Sequence, residues 1–145
     1  MVIYRYGNIL YSDADVITNP VNCVGVMGKG LALQFKKKFP DMFKDYKIKC
    51  GNDEVNLGIP YLWNDKVLNF PTKGHWKMQS NIKDIDAGLK YLVENYKHMN
   101  IKTIAIPPLG CGLGGLLWKD VEELLIKYFK DVEDLTVIIY QRNRI

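Results

Sequence analysis

Two glycine-rich segments, residues 25–30 and 110–115, each stand between a short β-type apolar run and a helical pattern, and they restrict the possible folds more than any other feature. Glycines at a strand-to-helix junction let the backbone approach a ligand, and the unpaired N–H groups of the first helical turn point at an anion. Two such junctions in a chain of 145 residues, about one ordinary domain, imply a diphosphate held between them. One glycine turn alone would be read as a tight surface connection. At 48% apolar composition the chain buries a full core without staples.

The rest of the sequence alternates strand and helix. Val2–Tyr6 is a β-type run, and residues 16–18 with Val21 and Asn22 form a second strand bent at Pro20. Leu31, Phe35 and Phe39 recur at helical spacing until Pro40, and a short helix carries Met42, Phe43 and Tyr46. Tyr61–Trp63 and residues 66–70 flank Asn64-Asp65, types that tolerate the left-handed turn of a two-residue hairpin. Ser80 is positioned to cap a helix with Ile82, Ile85, Leu89, Leu92, Val93 and Tyr96 on one face. Thr103–Ile106 is a strand, Trp118–Phe129 a helix and residues 136–140 a last buried strand. These elements predict an α/β fold, a mixed sheet with helices on both faces, whose ligands sit beyond the carboxyl ends of the strands. With no repeat, low-complexity stretch or linker, residues 1–145 read as a single domain.

Competing glycine motifs fail on their flanks. The first turn is no Walker A loop, because Gly30 stands where Ser or Thr would hold magnesium. The second matches G-x-G-x-x-G, the dinucleotide fingerprint. However, Pro107 and Pro108 separate it from its strand, and the acids roughly 20 residues on, Asp131 and Asp134, precede the next strand instead of ending it.

The net charge of +4 and pI near 8.9 favour a polyanionic partner without identifying one, and Lys36, Lys37 and Lys38 form a run on a solvated helix face. Cys23, Cys50 and Cys111 are widely separated, in no metal or disulfide pattern, and fit a reducing cytoplasm. Neither a signal peptide nor a membrane-spanning run is present in the sequence, so a cytoplasmic location and no membrane partner are expected.

Several segments in order resemble a known family: GNIL at 7–10, TNPVN at 18–22, GVMGKGLALQFK at 25–36, FPTK at 70–73 followed by His75, Trp76 and Ser80, and PPLGCGL at 107–113. Together they are similar to the macrodomains, in the branch of the terminal ADP-ribose glycohydrolases that includes the DNA ADP-ribosyl glycohydrolase antitoxins. The resemblance implies a three-layer α/β/α fold with a central mixed, mostly parallel sheet, and ADP-ribose as ligand with no metal or other cofactor. It implies that Asn8 and Ile9 meet the adenine, and that Gly28, Lys29 and Gly30 approach the distal ribose with Asn22. The diphosphate is expected between the turns, near Gly110, Cys111, Gly112, Leu113 and Gly114, with the Cys111 N–H donating to a phosphate.

Asn8 stands where many macrodomains have Asp, and its amide offers both donor and acceptor to adenine; it also reads as a turn residue of positive φ. Tyr140 has two readings, stacking on adenine and packing in the core. Cys23 reads as a small core residue, without a partner base for nucleophilic catalysis.

In the similar glycohydrolases the lysine of the FPTK segment, here Lys73, approaches the anomeric carbon of the distal ribose. Either a neutral amine attacks that carbon or the ammonium polarises the scissile bond. The protein-directed members have an aspartate where this chain has Gly114, whereas the DNA-directed members have glycine. His75, Glu54 and water are then the candidates for acid or base assistance, His75 also reading as a residue that orders the Lys73 loop.

The function implied is hydrolysis of the bond between ADP-ribose and a carrier, namely a DNA base, an acidic protein side chain or the acetyl group of O-acetyl-ADP-ribose. An ADP-ribosyltransferase toxin is the implied partner. A non-catalytic ADP-ribose reader and a general nucleotide binder are the alternatives. The DNA-directed antitoxins usually carry a further C-terminal domain, and this chain closes on the polar segment QRNR at 141–144.

Overall fold

The computed structural model describes residues 1–141; the end of the polar tail, residues 142–145, lies outside the described residues. The elements run β1 (Val2–Tyr6), a 3-10 turn (Ile9–Tyr11), β2 (Val16–Val21), α1 (Gly30–Lys38), α2 (Pro40–Gly51), β3 (Tyr61–Trp63), β4 (Val67–Pro71), α3 (Ile82–Asn95), β5 (Thr103–Ile106), α4 (Trp118–Phe129) and β6 (Thr136–Gln141). They form one sheet of order β1-β6-β5-β2-β4-β3, parallel except for the antiparallel β3–β4 hairpin. That hairpin turns through Asn64 and Asp65 at φ 50° and 51°, the twist that a two-residue connection needs.

Alternation along the strands feeds two cores. Val16, Leu68, Phe70, Ile104, Ile106, Val137 and Ile139 face α3 and α4. Ile17, Val67, Ala105, Ile138 and Tyr140 face α1 and α2. The result is three layers, α/β/α, and every fully buried Leu or Phe in them contributes about 1.5–3 kcal/mol. Among the described residues no helix is long and apolar enough to cross a membrane.

Proline and glycine decide where these elements stop. α1 ends with Lys36, Lys37 and Lys38 at the negative end of its dipole. Pro40 then opens α2, which is longer than the short helix expected and runs to Gly51. Strand β2 continues through Pro20. Ile17 N–H bonds the Lys66 carbonyl on the β4 side, so by alternation the missing N–H of Pro20 faces β5, where pairing has already ended at Ile17 and Ala105. Pro107 and Pro108 likewise cannot extend the β5 ladder. Three prolines, Pro20, Pro107 and Pro108, thus stand where the ends of β2 and β5 part.

Two local expectations need correction. Asn81, not Ser80, caps α3, its side chain accepting from Lys83 N–H at 2.9 Å. Ser80 is withdrawn from that role because its own N–H bonds the Gly114 carbonyl at 2.9 Å and its hydroxyl turns inward, buried, against the second glycine turn. On α3, Gly88 is required by contact: a Cβ there would lie 2.3 Å from Phe70 Cζ. The ring of Phe70 therefore rests on the helix backbone and fixes the end of β4, three residues before Lys73.

Candidate functional site

The chain leaves β2 toward α1 on one face and β5 toward α4 on the other. Neighbouring strands whose connections part to opposite faces leave a crevice between their ends. Here it is a cleft of about 1290 Å³ bordered by both glycine turns. Sheet order sets the sequence of features along it. Asn8 and Ile9 after β1, with Tyr140 at the end of β6, form one end; Gly110, Gly112, Leu113 and Gly114 after β5 come next. Asn22, Gly28, Lys29 and Gly30 after β2 follow, and Lys73 after β4 closes the far end. From β1 to β4 are four inter-strand spacings, about 19 Å, so an extended ligand is accommodated.

The first glycine turn is organised by Asn22. Its Oδ1 accepts from Val24 N–H at 3.0 Å and from the Tyr46 hydroxyl at 2.6 Å, and its Nδ2 donates to the Val26 carbonyl at 2.8 Å. Only 6% exposed, Asn22 thus folds the loop and borders the cleft with the remainder of its amide. Gly30, at φ +59°, then starts α1, whose N-terminus has no side-chain cap. The N–H groups of its first turn remain available to an anion in the cleft.

Tyr46 was not among the residues expected from the sequence. It lies 24 positions from Asn22, and its helical spacing marks it only as core. Burial raises its phenol above the ordinary tyrosine value of 10, so it stays a neutral donor. Tyr46→Phe is expected to lower stability by about 0.5–1.5 kcal/mol in urea titration and to weaken binding in the cleft without removing it. Because the phenol is raised in the folded state, its contribution is complete below pH 10 and falls away above it.

The second turn contains a conflict with expectation. Cys111 does not line the cleft: its N–H bonds the Pro108 carbonyl at 3.2 Å and its thiol the Leu109 carbonyl at 3.4 Å. That turn bond occupies the N–H expected at a phosphate, and Gly110, Gly112, Leu113 and Gly114 are the residues of the turn that border the cleft. At Gly114 a Cβ would lie 2.4 Å from Ser80 Oγ and 2.5 Å from the Gly110 carbonyl oxygen. Glycine is a steric requirement there.

At the β1 end of the cleft, Asn8 has φ −92° and caps the 3-10 turn through a 3.0 Å bond from Leu10 N–H; the positive φ belongs to Gly7. Ile9 and Tyr140 are buried in the α1–α2 core and also border the cleft, so Tyr140 packs in the core as one of its two readings has it.

Lys73 is held by its neighbours. Thr72 N–H bonds the Val21 carbonyl at 2.9 Å, and Cys23 N–H bonds the Gly74 carbonyl at 3.0 Å, clamping the loop to the end of β2 on either side of Lys73. The Lys73 ammonium donates to the Trp76 carbonyl at 3.2 Å. His75 accepts from Lys77 N–H at 3.1 Å, a loop-ordering contact, and Glu54 pairs with Lys49 at 3.8 Å away from the cleft lining. Among the described residues the lining contains Lys29, Lys73 and Lys77 and no Asp or Glu. Burial pushes the Cys23 thiol up to about 11, with Cys50 adding to the effect, so its thiolate is scarce.

The Macro domain family model matches residues 18–125 of this chain. The chain belongs to the macrodomain family. It is 43% identical, over 97% of its length, to the DNA ADP-ribosyl glycohydrolase of Mycobacterium bovis. It is 40% identical, over 92%, to a DNA ADP-ribosyl transferase-DNA ADP-ribosyl glycohydrolase fusion protein of Thermosipho africanus. The chain spans about two fifths of the length of these curated relatives, 42% and 40% respectively. Among solved structures it superposes on the macrodomain of Mycobacterium tuberculosis DarG with a TM-score of 0.93 at 43% identity, covering 97% of both chains. The complex of Thermosipho africanus DarTG with ADP-ribose gives a TM-score of 0.88 at 41% identity, over 99% of this chain and 43% of that one.

Proposed function

We propose that this macrodomain binds ADP-ribose along its cleft and hydrolyses the bond that joins the distal ribose to a DNA base, with Lys73 acting at the anomeric carbon. The observation that carries the reading is the order imposed by the sheet: an aromatic end at Tyr140, two glycine turns in the middle and a clamped lysine at the other end. The three lining lysines suit a diphosphate. The DNA-directed activity named for relatives 40–43% identical to this chain supports a nucleobase as carrier, as does a position 114 with no room for an acid.

In the reaction the bond from the anomeric carbon to the carrier breaks, water supplies the new oxygen on that carbon, and its proton passes to the departing base. With no carboxylate in the described lining, that proton moves through water or Lys73. The lack of a lining carboxylate also favours a second reading, a non-catalytic reader in which Lys73 pairs with the bound ligand. The fusion relative from Thermosipho africanus supports a DNA ADP-ribosyltransferase as the opposing partner; a cytoplasmic location for the pair is part of the proposal.

The test is a carrier panel: an ADP-ribosylated single-stranded oligonucleotide, an ADP-ribosylated glutamate peptide and O-acetyl-ADP-ribose, with free ADP-ribose and AMP titrated by calorimetry. Release from the oligonucleotide is expected to be fastest, and ADP-ribose to bind much more tightly than AMP. Binding of ADP-ribose without release from any carrier would leave the reader standing. Equal affinity for AMP would remove both.

A further inference from the structure

Trp76 takes no part in holding ADP-ribose as read above, yet it borders the cleft three residues beyond Lys73 with 47% of its surface exposed. The turn beneath it is ordered. Met78 N–H bonds the His75 carbonyl at 3.0 Å, and Lys77 N–H bonds His75 Nδ1 at 3.1 Å. The imidazole of His75 lies with its centroid 5.3 Å from the indole, and the Lys77 ammonium stands over the indole ring, 5.0 Å from its centroid, a place it leaves when a base stacks there. Because Lys73 Nζ donates to the Trp76 carbonyl, the lysine at the scissile bond and the residue presenting the indole are tied together. The indole therefore stands beside Lys73 at the β4 end of the cleft.

We propose that Trp76 is a stacking platform for the nucleobase that carries the ADP-ribose in single-stranded DNA, with Lys77 beside the phosphates of that strand. The proposal rests on the reading of the cleft as an ADP-ribosyl-DNA hydrolase site and names what lies on the far side of the bond. A flat, exposed aromatic flanked by lysines matches what single strands require: a π-face for a base and cations for the backbone. A carboxylate or acetyl carrier has no π-face and gains nothing from the indole. Stacking demands a base out of its duplex, so a single strand is the preferred form, and a stacked base is steadied as it leaves.

Trp76→Ala, Trp76→Phe and Trp76→Leu distinguish stacking from packing. On the ADP-ribosylated single-stranded oligonucleotide, Trp76→Ala is expected to lower kcat/KM about tenfold or more, mainly through KM. Trp76→Phe should restore most of the loss and Trp76→Leu little of it. The loss should exceed any change in ADP-ribose affinity measured by calorimetry. Unchanged kinetics in Trp76→Ala, equal rescue by Leu and Phe, or a loss matched by an equal drop in ADP-ribose affinity would each overturn the platform while leaving the hydrolase reading intact. Wild-type protein that frees ADP-ribose from peptide or acetyl carriers but not from DNA would overturn the DNA carrier and the platform together.

Discussion

Lys73→Ala is expected to reduce release of ADP-ribose from its carrier by about 10²–10⁴-fold, with ADP-ribose affinity changing far less. The asymmetry follows from the local architecture. The loop is clamped by backbone bonds, Thr72 to Val21 and Cys23 to Gly74, that do not involve the lysine side chain, so truncating it leaves the loop in place. The glycine turns and the uncapped start of α1, which border the cleft, are likewise untouched. Single-turnover release of ADP-ribose, with calorimetry of the free ligand, measures both quantities. Comparable release by Lys73→Ala would end the assignment. Lys73→Arg separates the two mechanisms: it keeps the charge but gives up a nucleophilic amine, so retained activity identifies electrostatic polarisation and lost activity an attacking amine.

Gly114→Asp is expected to impair the site, not to install an acid in it. The new Cβ would meet Ser80 Oγ at 2.4 Å and the Gly110 carbonyl oxygen at 2.5 Å. The serine can be trimmed, but the carbonyl is backbone within the same turn. It also sits where the chain is already fixed, because Leu116 N–H bonds that Gly110 carbonyl at 2.9 Å and Ser80 N–H bonds the Gly114 carbonyl. Relief therefore requires the turn to move. Overpacking of this kind costs about 1–3 kcal/mol, a fall in Tm of about 2–12 °C, and ADP-ribose affinity is expected to drop about tenfold or more. Gly114→Ala should reproduce most of both effects, since the conflict lies at Cβ and not in the charge. Ser80→Gly combined with Gly114→Asp should recover little. An aspartate variant with native Tm and faster turnover would show that the turn yields more readily than its contacts imply.

Much of the fold was legible because its signals are local. The hairpin at Asn64 and Asp65 follows from two residue types that accept positive φ, and the α4 boundaries follow from the spacing of Val121, Leu125 and Phe129, all fully buried. The cap of α3 was misplaced by one residue. Ser80 and Asn81 are both good caps by type, and the choice fell to a tertiary contact, the bond from Ser80 N–H to Gly114.

The site divides along the same line. Gly28, Gly30, Gly110, Gly112 and Gly114, the asparagine at 22 and the lysine at 73 are visible as residue types in characteristic segments, and all of them border the cleft. Cys111 stood inside such a segment but spends its N–H on Pro108, a turn bond that no residue type announces. Tyr46 and Trp76 carry weak signals, one apolar position on a helix and one exposed aromatic among lysines.

The sequence by itself determined that two glycine turns would stand between a strand and a helix, since backbone freedom and helix-start signals are properties of a few consecutive residues. Only the tertiary structure decided that these turns share one cleft. That depends on β5 returning beside β2 and on prolines that end the pairing between them. It also depends on α1 and α4 leaving to opposite faces. The requirement for glycine at 114 was likewise decided at a distance, by a serine 34 positions earlier in the chain and a carbonyl across the turn.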